Sequence, residues 1–428
     1  MRTRFAGVTL IDGTGAPARR DMTVEVEDGR IAVVAGTRAA ASDTGIDQVD
    51  GHGLTLLPGL IDGHVHLLLQ PDVSNLAEWD RAQDDDDATL LLRASVAAAQ
   101  LLGGGVTTAR DCGGRGGLPI AVRDAIARGT LPGPRILASG PVITRTGGHG
   151  HRFGLVADDA PALRRVAQEL LRGGVDSVKV MATGGNLSGD SRPERPQYTA
   201  AELAVIVAEA HRGGRRVTAH AHARAGIANA VDAGVDSLEH CSWLGERGRD
   251  YDPALVERMV RAGTFVDFTP AVSYRLVEGR QEGWSELRTR LRAVREIRVP
   301  TMVPMWRAGV PFYFGSDAGT PLTFFEDFAL VLELSVLEGE LPAAVVLAAG
   351  TGTAARALGI GDETGTIAVG KAADLLLVDG DPLADIRALR RVRRVYRSGR
   401  LVVEDGRAVV PRRDLAYVPP AVSVTPMR

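Results

Sequence analysis

The chain has 428 residues, 45% of them hydrophobic and 24% charged, with a formal net charge of -3; that length suits one large barrel with an appendage or two to three domains, and no basic surface argues for nucleic acid. Its two cysteines, Cys112 and Cys241, exclude a disulfide framework and a cysteine-based zinc finger. No apolar run of about 18 residues occurs, so no transmembrane helix is expected, and with no long apolar stretch after Met1 no signal peptide is expected either, which makes the cytoplasm the expected location.

Residues 1–56 read as short strands punctuated by turns: Val8–Ile11 before Asp12-Gly13, Met22–Glu27 before Asp28-Gly29, and Ile31–Val34 before Gly36. Period-two segments between Asp-Gly turns predict a small antiparallel sheet. From about 57 to 360 short apolar runs alternate with helical patterns. The runs are Leu54–Leu57 into Gly59–Ile61, Gly105–Thr108, Arg135–Ala138, Asp176–Val180, Arg216–Ala219, Asp236–Glu239, Thr264–Phe268 and Val310–Phe314. Amphipathic stretches such as Ala88–Leu102, Pro161–Leu171, Ala200–His211 and Ala225–Ala233 lie between them, with Gly103, Gly173, Gly213, Gly234 and Gly263 at helix ends. Eight such units predict an α/β fold, a TIM-like (β/α)8 barrel over 57–360, with an open doubly wound sheet as the alternative. The far end is strand-like again at Gly365–Val369, Asp374–Val378, Val392–Tyr396 and Arg400–Val403. Each terminal segment is small for a domain, so 1–56 and 361–428 are expected to pack together as one small β-sandwich built from both chain ends.

Seven of the nine histidines, His64, His66, His149, His151, His220, His222 and His240, fall at or just after the ends of predicted strands. In a barrel that face carries the active site. In His64-Val-His66 the two imidazoles point to one side of a strand and can share a divalent cation, with Asp62 orienting a ligand; taken alone the pair is also compatible with hydrogen-bonded strand-end histidines. Asp317, in Gly315-Ser-Asp-Ala-Gly319, suits a metal ligand and proton acceptor, or a helix N-cap. His220 and His240 end the fifth and sixth strands and can complete a site. Of the 50 basic residues only Lys179 and Lys371 are lysines. Lys179 lies inside a predicted strand; an ammonium cannot ligate a cation, but a carbamate formed with carbon dioxide could, which arginine cannot become. Lys371 reads as a solvated turn lysine, and Asp84–Asp87 as a solvated loop and helix start.

Together Pro58–His66, Ser177–Gly185, Val217–His222, Gly234–His240, Gly315–Gly319 and Gly365–Val378 resemble the amidohydrolase superfamily over nearly the whole chain. Lys179-Val-Met-Ala-Thr-Gly-Gly185 and Thr146-Gly-Gly-His-Gly150 resemble its branch of imidazolonepropionase-like proteins, Xaa-Pro dipeptidases and ochratoxin-degrading amidases. The resemblance implies a binuclear centre of two divalent ions, zinc first with manganese or cobalt also suited. His64, His66 and Asp317 would hold one ion, His220 and His240 the other, with carbamylated Lys179 bridging. It implies attack of a metal-bridging hydroxide on an amide, peptide or ester carbonyl, with Asp317 moving the proton, His149 near the scissile carbonyl, His222 facing substrate and His151 a further substrate contact.

The expected partner is a small-molecule amide, Xaa-Pro dipeptide-like or an N-acyl amino acid, with no nucleic acid and no membrane; a symmetric homo-oligomer is the default. The arginine-rich stretch Arg275, Arg280, Arg288, Arg290, Arg292 is read as a solvated helix, with recognition of a substrate carboxylate as the other reading. Where relatives carry a histidine after strand eight, Thr320–Phe328 has none, which makes the leaving-group pocket more apolar. Two rivals stand beside this reading: a mononuclear ring-opening hydrolase or deaminase, and a retired barrel serving as an assembly scaffold.

Overall fold

The structure, a computed structural model, describes residues 2–36, 45–188 and 191–409; parts of both expected terminal segments, 37–44 and 410–428, lie outside the described residues. Strands Arg2–Leu10, Arg19–Glu27 and Arg30–Gly36 are successive antiparallel neighbours, as their alternation predicts. Leu54–Pro58 pairs parallel with the first of these and antiparallel with Leu375–Asp379, so both chain ends share one nine-stranded sheet. Val392–Arg397 and Arg400–Glu404 extend it. Leu54–Pro58 supplies an edge to each chain end, and the sheet curls on itself: Phe5 and Tyr396, on strands that are not hydrogen-bonded neighbours, meet with ring centroids 5.0 Å apart. One expectation is corrected. Gly365–Val369 is not a strand: Gly365 and Gly370 take φ of 89° and 91°, and Ile367 N donates to Asp12 O at 2.9 Å, outside any ladder.

Alternation along Leu375–Asp379 divides its side chains between two cores. Leu375 and Leu377 pack with Phe5, Val24, Leu56 and Tyr396, whereas Leu376 and Val378 face the main core. The chain crosses from this sheet to the next at Gly59, where a Cβ would lie 2.2 Å from the Thr107 side chain, so only glycine fits. Leu54–Leu57 therefore belongs to the terminal sheet, and the first strand of the central unit is Leu60–Val65.

That unit holds eight parallel strands near the expected places: Leu60–Val65, Val106–Asp111, Arg135–Ala138, Ser177–Met181, Arg216–Ala223, Ser237–Gly245, Phe265–Phe268 and Phe312–Phe314, here the first to eighth. The ladders form two arcs, the first to third strands and the fourth to eighth, with Ile143–Thr144 and then Leu155–Val156 added at the edge of the second. The expected unbroken ring is thus not formed by ladders. At each seam an aspartate side chain substitutes for a strand. Between third and fourth, Asp176 Oδ2 accepts from Ala138 N at 2.9 Å while Asp176 N donates to Ala138 O at 2.8 Å. Between eighth and first, Asp62 Oδ1 accepts from Ser316 N at 2.9 Å, and Asp317 N donates to His64 O at 2.7 Å.

Helices cover the strands where the periodicity places them, Asp87–Gly103, Ala160–Arg172, Ala200–Arg212 and Arg224–Ala233 among them. Asp86 caps the first of these by accepting from Thr89 N at 2.7 Å, so the acidic run is the expected helix start. Gly234 and Gly263 end their helices in the left-handed conformation. No helix among the described residues is long and apolar enough to cross a membrane.

Leu375 is fully buried between the two ends of the chain. Replacing Leu375 by alanine is expected to cost about 2–5 kcal/mol of stability, read as a lower denaturant midpoint, while the metal content of the folded protein is unchanged.

Candidate metal centre

Every strand-end histidine expected on the rim, with Asp317 and Lys179, lines one cavity of about 230 Å³. His64 and His66 leave the first strand side by side, with ring centroids 5.2 Å apart. Their Nε2 atoms lie 3.4 and 3.3 Å from the same oxygen, Asp317 Oδ1, so three ligand atoms converge on one point. Each outer nitrogen is fixed. His66 Nδ1 is hydrogen-bonded to Gly113 O at 3.0 Å, and His64 Nδ1 to Asp267 Oδ2 at 3.1 Å. A second buried trio, His220, His222 and His240, stands beside the first. His240 Nδ1 is held by Thr269 Oγ1 at 2.9 Å, His222 Nδ1 by Ser242 Oγ at 2.8 Å, and His220 Nε2 by Gly184 O at 3.1 Å. These outer contacts set the tautomers and turn one nitrogen of each ring to the cavity.

Burial keeps most of these rings neutral, as ligands must be. It pushes His64 down to about 4, with Lys179 adding to the effect, and His222 down to about 3. His220 and His240 fall well below the usual imidazole range, first by burial and then by their neighbouring imidazoles. His66 moves the other way: burial opposes its charge, but Asp317 more than compensates. Asp317 is held below the ordinary carboxylate range despite its burial, through His64 and His66.

Lys179 acts electrostatically on members of both trios. It is 1% exposed, and its Nζ has no hydrogen-bond partner among the described residues. An unpaired ammonium in such a place is costly. That orphan shares the cavity with convergent imidazole nitrogens and the Asp317 carboxylate, a donor set that fits a metal centre. The six residues expected as ligands all line this cavity.

Backbone strain falls on the same residues. His240 and Asp317 adopt φ of 67° and 60°, a left-handed conformation that non-glycine residues rarely take. Gly315 lets the turn that carries Asp317 approach His64, since a Cβ there would lie 2.3 Å from His64 Cβ.

His149 is half-buried and hydrogen-bonded to Ser188 Oγ at 2.8 Å, with its ring 4.6 Å from that of His220. Gly185 makes room for it, because a Cβ there would stand 2.5 Å from the ring. His151 is exposed at the cavity mouth and hydrogen-bonded to Gly148 O at 3.0 Å. Asp62 acts less on a ligand side chain than on the seam, as described above.

Several site groups escape a sequence reading. Glu239 and Asp267 sit beneath His64, with Glu239 Oε2 3.0 Å from its Nδ1. Arg110 donates to Glu239 Oε1 at 2.6 Å and holds that carboxylate ionised, while burial and the Glu239 charge push Asp267 well up. Glu239 alone carried a signal, its place directly before His240. Cys112 completes a buried group with His64 and Glu239, and burial pushes its thiol up to about 12. Lys371 is not a solvated turn lysine: its Nζ donates to Gly361 O at 2.7 Å and Thr366 Oγ1 at 2.6 Å, bracing the loop that precedes the strand Leu375–Asp379.

A model of the amidohydrolase family matches residues 55–402. Ochratoxinase of Aspergillus niger is 30% identical over 93% of this chain and 85% of its own. Imidazolonepropionase of Stenotrophomonas maltophilia is 25% identical over 93% of this chain and 94% of its own. The crystal structure of a Xaa-Pro dipeptidase with methionine bound in its active site superposes with a TM-score of 0.83 at 27% identity, covering 94% of this chain and 100% of that one.

Lys179 should behave as a burdened group when no metal is present. Replacing it by methionine removes a buried unpaired charge, and the melting temperature of the chelator-treated protein is expected to rise; a fall would show that the ammonium has a stabilising partner.

Proposed function

The chain belongs to the amidohydrolase family and is a hydrolase of carbon–nitrogen bonds, and from that premise we propose that it cleaves an amide or peptide bond of a small molecule, as a Xaa-Pro dipeptidase-like enzyme or an N-acyl amino acid amidase. The observation that carries this is the pairing of two donor trios around an unpartnered buried lysine. In this reading the two arcs work as one (β/α)8 barrel whose C-terminal rim would hold two divalent ions. His64, His66 and Asp317 would hold one, and His220 and His240 the other. The Lys179 amine, as a free base, can add to the carbon of carbon dioxide with release of one proton, and the carbamate so formed would offer anionic oxygens as further ligands. Imidazole and carboxylate donors suit zinc, with manganese and cobalt also compatible. When bound, such ions supply positive charge that polarises a carbonyl and brings the ionisation of water towards neutral pH.

The chain's own groups do the rest. Asp317 Oδ1, already ionised and at the convergence of the first trio, takes the proton from the attacking water and delivers it to the leaving nitrogen, which departs poorly as an anion. His149 lines the same cavity as Asp317, with Ser188 fixing its Nδ1; as a neutral ring it donates a hydrogen bond to the oxygen that becomes negative. His222 and His151 contact substrate. Leu69, Trp79, Phe153, Met181 and Leu187 form an apolar wall that limits competing water.

The closeness of His220, His222 and His240 favours a second reading, in which three imidazoles hold a single ion and the reaction is ring opening or deamination of a cyclic substrate. Metal content separates the two. Protein loaded with zinc and bicarbonate is expected to bind about two ions per chain, and its Lys179→Met variant about one or none; a single ion in both would support the mononuclear site. Asp317→Asn is expected to lower kcat by about 10²- to 10⁴-fold on whichever N-acyl amino acid or dipeptide of a panel is turned over. No turnover of any panel member by the metal-loaded protein would remove the dipeptidase and amidase readings.

A further inference from the structure

The segment after the seventh strand carries seven arginines that divide sharply by environment. Arg275 pairs with Asp327 at 2.5 Å, Arg288 and Arg292 donate to backbone carbonyls, and Arg280 and Arg290 are exposed, as a solvated helix surface predicts. Arg295 is buried and paired with Glu338. Arg298, at the end of the helix Ser285–Arg298, has no such outlet. It is 2% exposed and lines the cavity. Nη1 donates to Thr269 Oγ1 at 3.0 Å, the only hydrogen bond of the Arg298 side chain among the described residues. Nε has no partner, and no carboxylate stands within ion-pair distance among those residues; Asp317 and Asp267 act on it only from further away.

A buried guanidinium without a counterion is a standing cost unless an anion arrives from outside. With Nη1 on Thr269 and Nε unpartnered, the guanidinium keeps N–H donors for a carboxylate, the anion whose geometry suits its fork. Leu291 and Val294 precede Arg298 at helical spacings of seven and four, so one face of the helix presents leucine, valine and then the cation to the cavity. Thr269 Oγ1, which holds Arg298, also holds His240, so the anchor and the candidate metal ligand are fixed to one atom.

We infer that Arg298 anchors the carboxylate of the substrate's leaving amine, and that the substrates are N-acyl derivatives of amino acids whose apolar side chain lies along Leu291 and Val294. This rests on the amide-hydrolase reading above. The test compares N-acetyl-L-phenylalanine with N-acetylphenethylamine, which has the same amide and ring but no carboxylate, on the metal-loaded enzyme. The carboxylate substrate is expected to be preferred by about 10- to 100-fold in kcat/KM. Arg298→Gln is expected to erase that preference, mainly through KM, with a smaller loss on the neutral amide. A loss of equal size on both amides would mean a structural role and overturn the assignment. A binding arm keeps the question separate from turnover: calorimetry with 3-phenylpropanoate on the metal-loaded wild type, Arg298→Gln and Arg298→Lys. Weakening of about tenfold or more in the glutamine variant, partly recovered by lysine, supports the anchor even if neither amide is hydrolysed. An unchanged Kd in Arg298→Gln refutes it, whatever the activity.

Discussion

The Asp62 carboxylate is the group on which the geometry of the rim depends. It is fully buried, and its two oxygens accept from Ser316 N, Ser316 Oγ and His64 N. Those three bonds draw the turn after the eighth strand against the end of the first, where ladder bonding is sparse. Without that closure Asp317 would not face His64 and His66 over one oxygen. The Asp317 N–H to His64 O bond repeats the constraint through the backbone. One aspartate thus converts two strand ends into a ligand set, while Asp176 performs the matching service at the seam whose strands carry Lys179.

The site gathers what a stable core avoids: an unpartnered ammonium, an under-paired guanidinium, five buried imidazoles and two residues in left-handed backbone. Each is unfavourable alone. They persist because the surrounding layers leave them no alternative. Gly63 and Gly315 admit neighbouring strands closer than any side chain would allow, and the Arg110, Glu239 and Tyr313 network beneath fixes the base of His64. Departure from the ordinary rules is concentrated at the cavity, and the terminal sheet and helical layer follow those rules closely. That contrast is what a functional site leaves behind in a folded chain.

Much of this was legible in the sequence because two independent regularities coincide. Apolar runs at barrel spacing predicted strands that differ from the observed ones by only a few residues, and histidines at the ends of those runs marked the rim before any coordinates. Lys179 stood out through the scarcity of lysine, a compositional accident that made one position informative. What stayed hidden has a common physical cause. Glu239 and Asp267 sit inside strands as ordinary-looking acids, and their burial beneath His64 follows from a pairing of strands that local pattern does not encode. Arg298 belongs to an arginine-rich helix whose other members are solvent-facing or paired, so only the helix's rotation against the sixth strand separates it from them. Gly365–Val369 looked like a strand because its residues alternate, yet left-handed glycines at both ends take it out of the ladder. The two seams were invisible for a similar reason: a side chain that bonds like a backbone has no periodic signature.

The two uncompensated cations act differently on what enters the cavity. Lys179 can change sign, because a free amine reacts with carbon dioxide and a guanidinium does not. Arg298 stays cationic: burial lowers it only to about 9, still well above neutrality. In the function proposed above, the lysine would become an anionic ligand of positively charged ions, while the guanidinium keeps its charge and its directional N–H donors. A substrate with an electron-rich carbonyl and a separate carboxylate would then be oriented by setting its carboxylate on those donors and its carbonyl at the ions. Orientation of that kind decides which side of the amide faces Asp317, and so which nitrogen receives the proton. Selectivity in this chain would then come from the spacing between a convertible lysine on the fourth strand and a permanent charge after the seventh, more than from the apolar wall that lies between them.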